Sequence, residues 1–293
     1  MFFSIGSKKT PSPPAAGKLS LIGVSKRFGN SDIAAIENIT LECKPGEFVV
    51  VVGPSGCGKS TLLNIVAGMT RPDSGKALLD DRPITAPGPD RAMVFQDHGL
   101  FPWLTSAQNV EFGMKMAGVS SSERSDRVAR ALQMVHLSGS AEKLVHELSG
   151  GMRQRIAIAR AMVMDPAVLL MDEPFASLDA QTRTQLHHRL QDLWCQTHKT
   201  ILFVTHSVGE AVRLADRIIV LHSHPGRIRK EICVDLPHPR KFDSSDINEL
   251  ARLVRKEIDD EVNRVNAVAA EDSWGAQESA DMDVTADDLG GGI

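Results

Sequence analysis

The segment Gly53-Pro54-Ser55-Gly56-Cys57-Gly58-Lys59-Ser60-Thr61 constrains the fold of this chain more than any other. It follows the apolar run Phe48–Val52 and precedes a helix-spaced set, Leu62, Leu63, Ile65 and Val66. A strand apolar on both faces, a glycine loop and a helix make up the local unit that cradles phosphates, and strands of this kind belong to buried sheets. Gly53, Gly56 and Gly58 let backbone N–H groups close around anionic oxygens, and the helix that follows adds its positive end. Pro54, Ser55 and Cys57 complete the loop. Lys59 supplies a point charge between the β- and γ-phosphates. The Ser60 hydroxyl is a ligand for Mg²⁺, and Thr61 is placed to help hold the α-phosphate. The loop points to a nucleotide-hydrolysing protein, an ATPase or a GTPase.

Around this loop, short apolar segments alternate with helical ones. Ile36 to Leu41 alternates as a strand of an antiparallel layer does. Ala92 to Gln96, Val168 to Met171, Ile201 to Val204, Ile218 to Leu221 and Ile232 to Val234 read as further strands. Pro102 to Val163 is mostly helix-like, with breaks near Gly118 and Gly139, and a helix is expected from Gln181 to Trp194. Strands alternating with helices imply a parallel sheet with crossover connections. The strand Val168 to Met171 ends in Asp172-Glu173. A carboxylate at such a strand end can reach the shell of a Mg²⁺ ion, the role expected of Asp172. Glu173 then faces the place of an attacking water and is suited to deprotonate it.

Bulk properties exclude several classes. A net charge of −4 gives no electrostatic footprint for nucleic acid. No apolar run approaches the roughly 20 residues of a membrane helix. The N-terminus lacks the charged-then-apolar order of a secretory signal, so a cytosolic location is expected. Cys43, Cys57, Cys195 and Cys233 form no CxxC pair and read as reduced thiols. His222 with His224, and His187 with His188, lack acidic or thiol companions at ligand spacing and read as solvated.

Leu148-Ser149-Gly150-Gly151-Met152-Arg153-Gln154 narrows the class. Together with the phosphate loop and Asp172-Glu173, it makes the chain resemble the ATP-binding-cassette ATPases from about Leu19 to Pro239. The resemblance implies an α/β fold of the P-loop type. It has a mixed core sheet, an antiparallel β layer and an inserted helical subdomain at about 97–163. It also implies that Ser149, Gly150 and Gly151 bind the γ-phosphate of ATP held by a second copy. Gln96 then touches Mg²⁺ and water, His206 contacts the γ-phosphate, Asp179 communicates across the dimer, and Phe28 stacks on adenine. ATP and Mg²⁺ are the implied cofactors. Ala176-Ser177 stands where many relatives carry Gly-Ala, a departure that leaves the acids untouched.

Gln96 to Thr105, and the tail Pro225-Gly226-Arg227-Ile228 followed by Val234 to Arg240, look like importers of nitrate, aliphatic sulfonates and taurine. The implied assembly has two copies of this chain, two transmembrane permease subunits and an extracytoplasmic solute-binding protein. An ATPase subunit of another transporter of this class, for a different solute or for export, is the nearer alternative, and a soluble non-transport cassette the more distant one. Phe101 and Trp103 either line a socket for the membrane partner or pack the helical lobe. Residues 1–17 read as a flexible leader and 18–240 as the nucleotide-binding domain. Residues 241–293 read as an amphipathic helix, with Ile247, Leu250, Val254, Ile258 and Val262 on one face, followed by an acidic disordered tail.

Overall fold

A computed structural model describes residues 16–29, 33–240 and 244–284, with side chains of the last helix described through residue 264. In chain order the elements are β1 (Leu19–Lys26), β2 (Ile36–Cys43), β3 (Phe48–Val52), α1 (Lys59–Val66), β4 (Ser74–Leu79), β5 (Arg82–Pro83) and β6 (Arg91–Val94). Then come α2 (Ser106–Met116), α3 (Ser121–Met134), α4 (Gly150–Met162), β7 (Val168–Asp172), α5 (Ala180–Thr197), β8 (Thr200–Thr205), α6 (Val208–Leu214), β9 (Arg217–Leu221), β10 (Ile228–Cys233) and α7 (Ser245–Val284).

The central sheet has six strands in the order β10-β9-β3-β8-β7-β6. All run parallel except β10, which pairs antiparallel with β9. A parallel sheet must be covered on both faces, and the strand sequences meet that demand by period-two alternation. Phe48, Val50 and Val52 of β3 enter one core, with residues of α4, α5, α6 and α7. Val49 and Val51 enter the other, beneath α1 and the antiparallel sheet β2-β1-β4-β5. Leu169 and Met171 of β7, against Val168 and Leu170, divide the same way. A third core, around Val110, Met114, Leu132, Leu148 and Ile156, holds α2, α3 and one side of α4 together as the inserted helical subdomain.

The ends of the cassette differ from the sequence expectation. Residues 1–15 of the expected leader lie outside the described residues, but Gly17 belongs to the folded unit. Its N–H donates to Ala167 O at 3.1 Å and its carbonyl accepts from Thr200 Oγ1 at 2.6 Å. A Cβ at Gly17 would stand 2.7 Å from Leu79 Cδ1 and 3.0 Å from Ala167 Cβ, so a side chain there would require Leu79 to shift.

At the other end, α7 opens on Ser244, whose Oγ accepts from Ile247 N at 3.3 Å. It continues to Val284, through much of the segment read as a disordered tail. That segment has no proline, the residue that most strongly interrupts a helix. Residues 285–293 lie outside the described residues. The apolar face is as expected through Ile258, with Ile247 and Val254 fully packed. In the next turn Val262 is exposed and Glu261 is buried instead.

Glu261 fixes α7 to the sheet. Its carboxylate accepts from Ser223 N at 2.8 Å, Arg264 Nη2 at 2.6 Å and Arg229 Nη1 at 3.4 Å, and pairs with His222 Nδ1 at 2.6 Å. One turn earlier, Glu257 bonds Arg229 and Lys230 of β10. His222 is therefore a partner of a buried acid, not a solvated loop residue. Burial alone would raise the pKa of Glu261, but the donors from Arg264, Ser223 and His222 override it and hold the group at about 2.

Because the folded value lies below the unfolded one, near 4.5, the stabilising contribution is complete above that pH and fades as pH falls towards 2. Protection of the α7 backbone amides, taken relative to their intrinsic exchange rates, should therefore fall as pH drops through about 4. Glu261→Gln should blunt that response and lower stability at neutral pH by about 1–3 kcal/mol. Both changes are measurable by hydrogen exchange and thermal unfolding.

Candidate active site

Parallel strands deliver their C-terminal ends to one edge, where an open α/β sheet places its ligands. Here the register aligns Val52 with Thr205, Asp172 with Val204, and Val94 with Met171. The phosphate loop after β3, Asp172-Glu173 at the end of β7, His206 after β8 and Gln96 beyond β6 therefore emerge side by side. Gln96 sits exposed in a turn, since β6 ends at Val94, two residues before the expected strand end.

The loop Gly53 to Thr61 wraps the N-terminus of α1. Lys59 is buried, and its Nζ donates to Gly53 O at 3.0 Å and Pro54 O at 2.8 Å. The ammonium is thereby held inside the curve of the loop by the carbonyls of its own turn. Gly58 adopts φ 92°, and a Cβ there would meet Ile36 Cγ2 at 2.3 Å and Ala35 O at 2.6 Å. Glycine is thus required both by the left-handed backbone and by the close approach of residues 35–36. Burial pushes the Cys57 thiol up, only partly opposed by Lys59, so it packs as a neutral group. A pocket of about 320 Å³ opens here, lined by Ser55, Gly56, Gly58, Lys59, Ser60, Thr61 and Glu173 with Phe28 and Ala35. Phe28 is 51% exposed, and its ring borders this space. A larger hollow of about 590 Å³ between α2 and α3 touches none of these residues.

Ser60 Oγ donates to Asp172 Oδ1 at 3.2 Å, so a hydroxyl and a carboxylate already converge beside the loop. Burial, with a smaller push from Glu173, raises the pKa of Asp172 against the opposing effects of Ser60 and Lys59. A carboxylate in that position gains from a nearby divalent cation, and an all-oxygen donor set suits Mg²⁺. The residues present therefore fit this ion.

Glu173 adopts φ 44°, uncommon for a residue with a side chain, and its N–H is held by Val204 O at 2.9 Å. This turns its carboxylate off the line of β7. Oε2 pairs with His206 Nδ1 at 2.7 Å, so two residues assigned separately from sequence are direct partners.

The turn Ser149-Gly150-Gly151 opens α4. Ser149 is the N-cap, its Oγ accepting from Met152 N at 3.3 Å, and both Ser149 and Gly150 are exposed. None of the three lines the pocket at Lys59. Asp179 caps α5, accepting from Thr182 N at 2.9 Å. Its bonds to Thr182 hold the carboxylate below the usual range. Gly151 packs on that same Thr182, so the two loops are in contact.

Two features escaped the sequence reading. Gln154, fully buried on α4, bonds His98 Nδ1, while Arg160 Nη1 donates to Gly99 O at 2.6 Å and Nη2 to His98 O at 2.9 Å. One helix thus carries the Ser149 turn and also grips the segment just after Gln96. A glutamine flanked by Ile156, Ala157 and Ile158 on a buried face was the available signal. His187, read as solvated, is buried and pairs with Glu210 at 3.3 Å. Glu210 in turn accepts from Thr205 Oγ1 at 2.6 Å, directly before His206. Of the aromatics, Phe101 stacks on Phe112 (4.6 Å between centroids) and Trp103 (5.7 Å), while Trp103 remains 72% exposed. Phe101 serves the lobe; Trp103 does not pack it.

A phosphate loop, an acid pair and a second glycine turn on a separate helical subdomain define a cassette-type nucleotide hydrolase. The family model for ABC transporters matches residues 36–176. A putative ATP-binding protein of Brucella abortus is 50% identical over 223 residues, which cover 76% of this chain and 85% of that protein. The nitrate import ATP-binding protein of Synechocystis is 48% identical, covering 75% of this chain and 81% of its own length. A solved dimeric ATP-binding cassette in a post-hydrolysis state, bound to ADP and Pi, is 33% identical with a TM-score of 0.65, covering 75% of this chain and all of the other. The chain belongs to the ATP-binding subunits of the ABC transporter family.

Alanine at a helical glycine ordinarily stabilises by up to about 1 kcal/mol. At Gly151 its Cβ would stand 2.4 Å from Thr182 Cγ2, a short, stiff neighbour. Gly151→Ala should therefore lower stability by about 1–3 kcal/mol and weaken ATP-driven dimerisation. Adding Thr182→Ser, which removes the clashing methyl, should restore both in thermal unfolding and sedimentation.

Proposed function

We propose that this chain is the ATP-hydrolysing subunit of an importer for a small anion such as nitrate, an aliphatic sulfonate or taurine. Two copies close head to tail around two ATP molecules. The observation that carries this reading is the separation of two anion-binding elements on one chain. Lys59 and its loop line one pocket, while the exposed Ser149-Gly150 turn at the N-terminus of α4 is not part of it. A helix start with free N–H groups attracts a phosphate, and the phosphate it serves is the γ-phosphate held by Lys59 of the second copy.

Within each composite site, the phosphate loop and Lys59 hold the nucleotide and Phe28 stacks on its base. Ser60 and Asp172, with Gln96, hold Mg²⁺, which when bound neutralises charge on the β- and γ-oxygens. Glu173 orients a water in line with the terminal phosphorus and accepts its proton as the new P–O bond forms. The bond to the β-γ bridging oxygen breaks, and ADP leaves with the electron pair. His206 passes from Glu173 to the γ-phosphate as the site fills. Loss of that phosphate removes the bridge between copies and lets them part.

Among the described residues no helix is long and apolar enough to cross a membrane. The membrane path belongs to two permease subunits, with a solute-binding protein on the outer side. The chain sits peripherally on the cytoplasmic face, and the exposed Trp103 beside Phe101 is where a short helix of the permease docks. The identity of the Synechocystis relative and the segments Gln96 to Thr105 and Pro225 to Arg240 support an anionic solute.

Glu173→Gln should keep ATP affinity, cut turnover by about 10²–10⁴-fold and accumulate a dimer in size-exclusion chromatography; wild-type turnover would refute the assignment. Ser149→Arg should bind nucleotide normally yet stay monomeric with ATP, and normal dimers would overturn the composite site.

A further inference from the structure

Phe28 presents half its surface to solvent and sits where β1 gives way to a turn at Gly29. An exposed aromatic on a loop loses conformational freedom when it is held against a ligand, so its usefulness depends on what fixes it beforehand. Asp73, in the loop between α1 and β4, meets the three residues that lead to it. Asp73 N donates to Ser25 O at 2.9 Å, Lys26 Nζ donates to Asp73 Oδ1 at 2.7 Å, and Arg27 N donates to Asp73 Oδ2 at 2.7 Å. Both carboxylate oxygens and the backbone N–H of a single residue are thus engaged on consecutive positions. Lys26, held this way, keeps its ammonium 5.6 Å from the centroid of the Phe28 ring. On the far side of the turn, Ala35 N donates to Lys26 O at 2.8 Å, and Ala35 O lies against Gly58 of the phosphate loop.

We propose that Asp73 is a positioning residue for base recognition: it clasps Ser25, Lys26 and Arg27 so that the Phe28 ring is fixed at the pocket mouth before ATP arrives. The proposal rests on the assignment of Phe28 as the adenine platform. Charge-assisted bonds at two oxygens are stronger than neutral ones, and they remove ordering that ATP would otherwise have to supply. The Lys26 ammonium over the ring adds a cation–π contact that holds the ring's orientation. Lys26, followed by the Arg27 N–H, keeps the Asp73 carboxyl below the usual range, so the clasp is charged at neutral pH. The hydrogen bonds of Asp73 go to Ser25, Lys26 and Arg27 and not to the phosphate loop, so its effect should fall on the base.

The test compares magnesium-bound ATP with magnesium-bound tripolyphosphate, which has no base, by calorimetry on the full chain. Asp73→Ala should weaken ATP binding about tenfold, the scale of one base-stacking contact, and leave tripolyphosphate binding unchanged. It should raise KM for ATP with kcat unaltered. Phe28→Ala should do the same, and the double variant should be no weaker than Phe28→Ala alone. Asp73→Asn, which keeps a neutral acceptor and the shape of the side chain, should show a smaller loss with the same selectivity. If Phe28→Ala weakens ATP while both Asp73 variants bind it as the wild type does, the proposal fails and the stacking assignment stands. If Phe28→Ala binds ATP normally, the stacking assignment itself fails. Equal losses for ATP and tripolyphosphate in the Asp73 variants would make Asp73 a structural residue only and overturn the proposal.

Discussion

Everything in this molecule depends on covering both faces of a parallel sheet. The strands β3, β7 and β8 are buried on each side, and neither face alone could be left to water. Helices α4 to α7 cover one face, and α1 with the antiparallel sheet covers the other. With both faces closed, the C-terminal strand edge becomes the free place for loops that must meet a ligand. The phosphate loop, Asp172, Glu173 and His206 are neighbours for that reason, although more than a hundred residues separate Ser60 from Asp172, which share a hydrogen bond.

Besides the packing of α4 on the sheet, the helical subdomain meets this edge through contacts of distinct kinds. Gly151 rests on Thr182, whose N–H is capped by Asp179. Gln154 and Arg160 grip residues 98 and 99. A movement of α4 therefore carries the Ser149 turn and the backbone beside Gln96 together, while Asp179 follows through its contact at the helix start. On the proposed pairing, small rotations of this one helix would move the surface offered to the second copy together with the segment that leads to Trp103. Packed elements of this kind shift between arrangements as units.

Local motifs were legible in the sequence because their chemistry is local. The phosphate loop needs its glycines, its lysine and a flanking strand and helix within a short span. Asp172-Glu173 announces itself by following four apolar residues. Partnerships made across the fold left no such mark. Asp73 in Pro72-Asp73-Ser74-Gly75 reads only as a turn, and nothing nearby in sequence points to Lys26. His187 looks like a surface histidine until α6 brings Glu210 against it. The face of α7 followed its period-3.6 pattern as far as Ile258, then a buried glutamate replaced valine because Ser223, His222, Arg229 and Arg264 supplied its partners. Gly17, placed in a leader by composition, is bound by Ala167 and Thr200, which a linear reading does not connect to it.

The Glu173–His206 pair has a consequence for the idle protein. The imidazole of His206 engages Oε2 of Glu173, which leaves Oε1 as the carboxylate oxygen without that partner. In one protomer the proposed base and the proposed phosphate sensor are thus bonded to one another. On the proposed function, a terminal phosphate would compete with Glu173 for the imidazole, and the group to be removed would itself free the base that removes it.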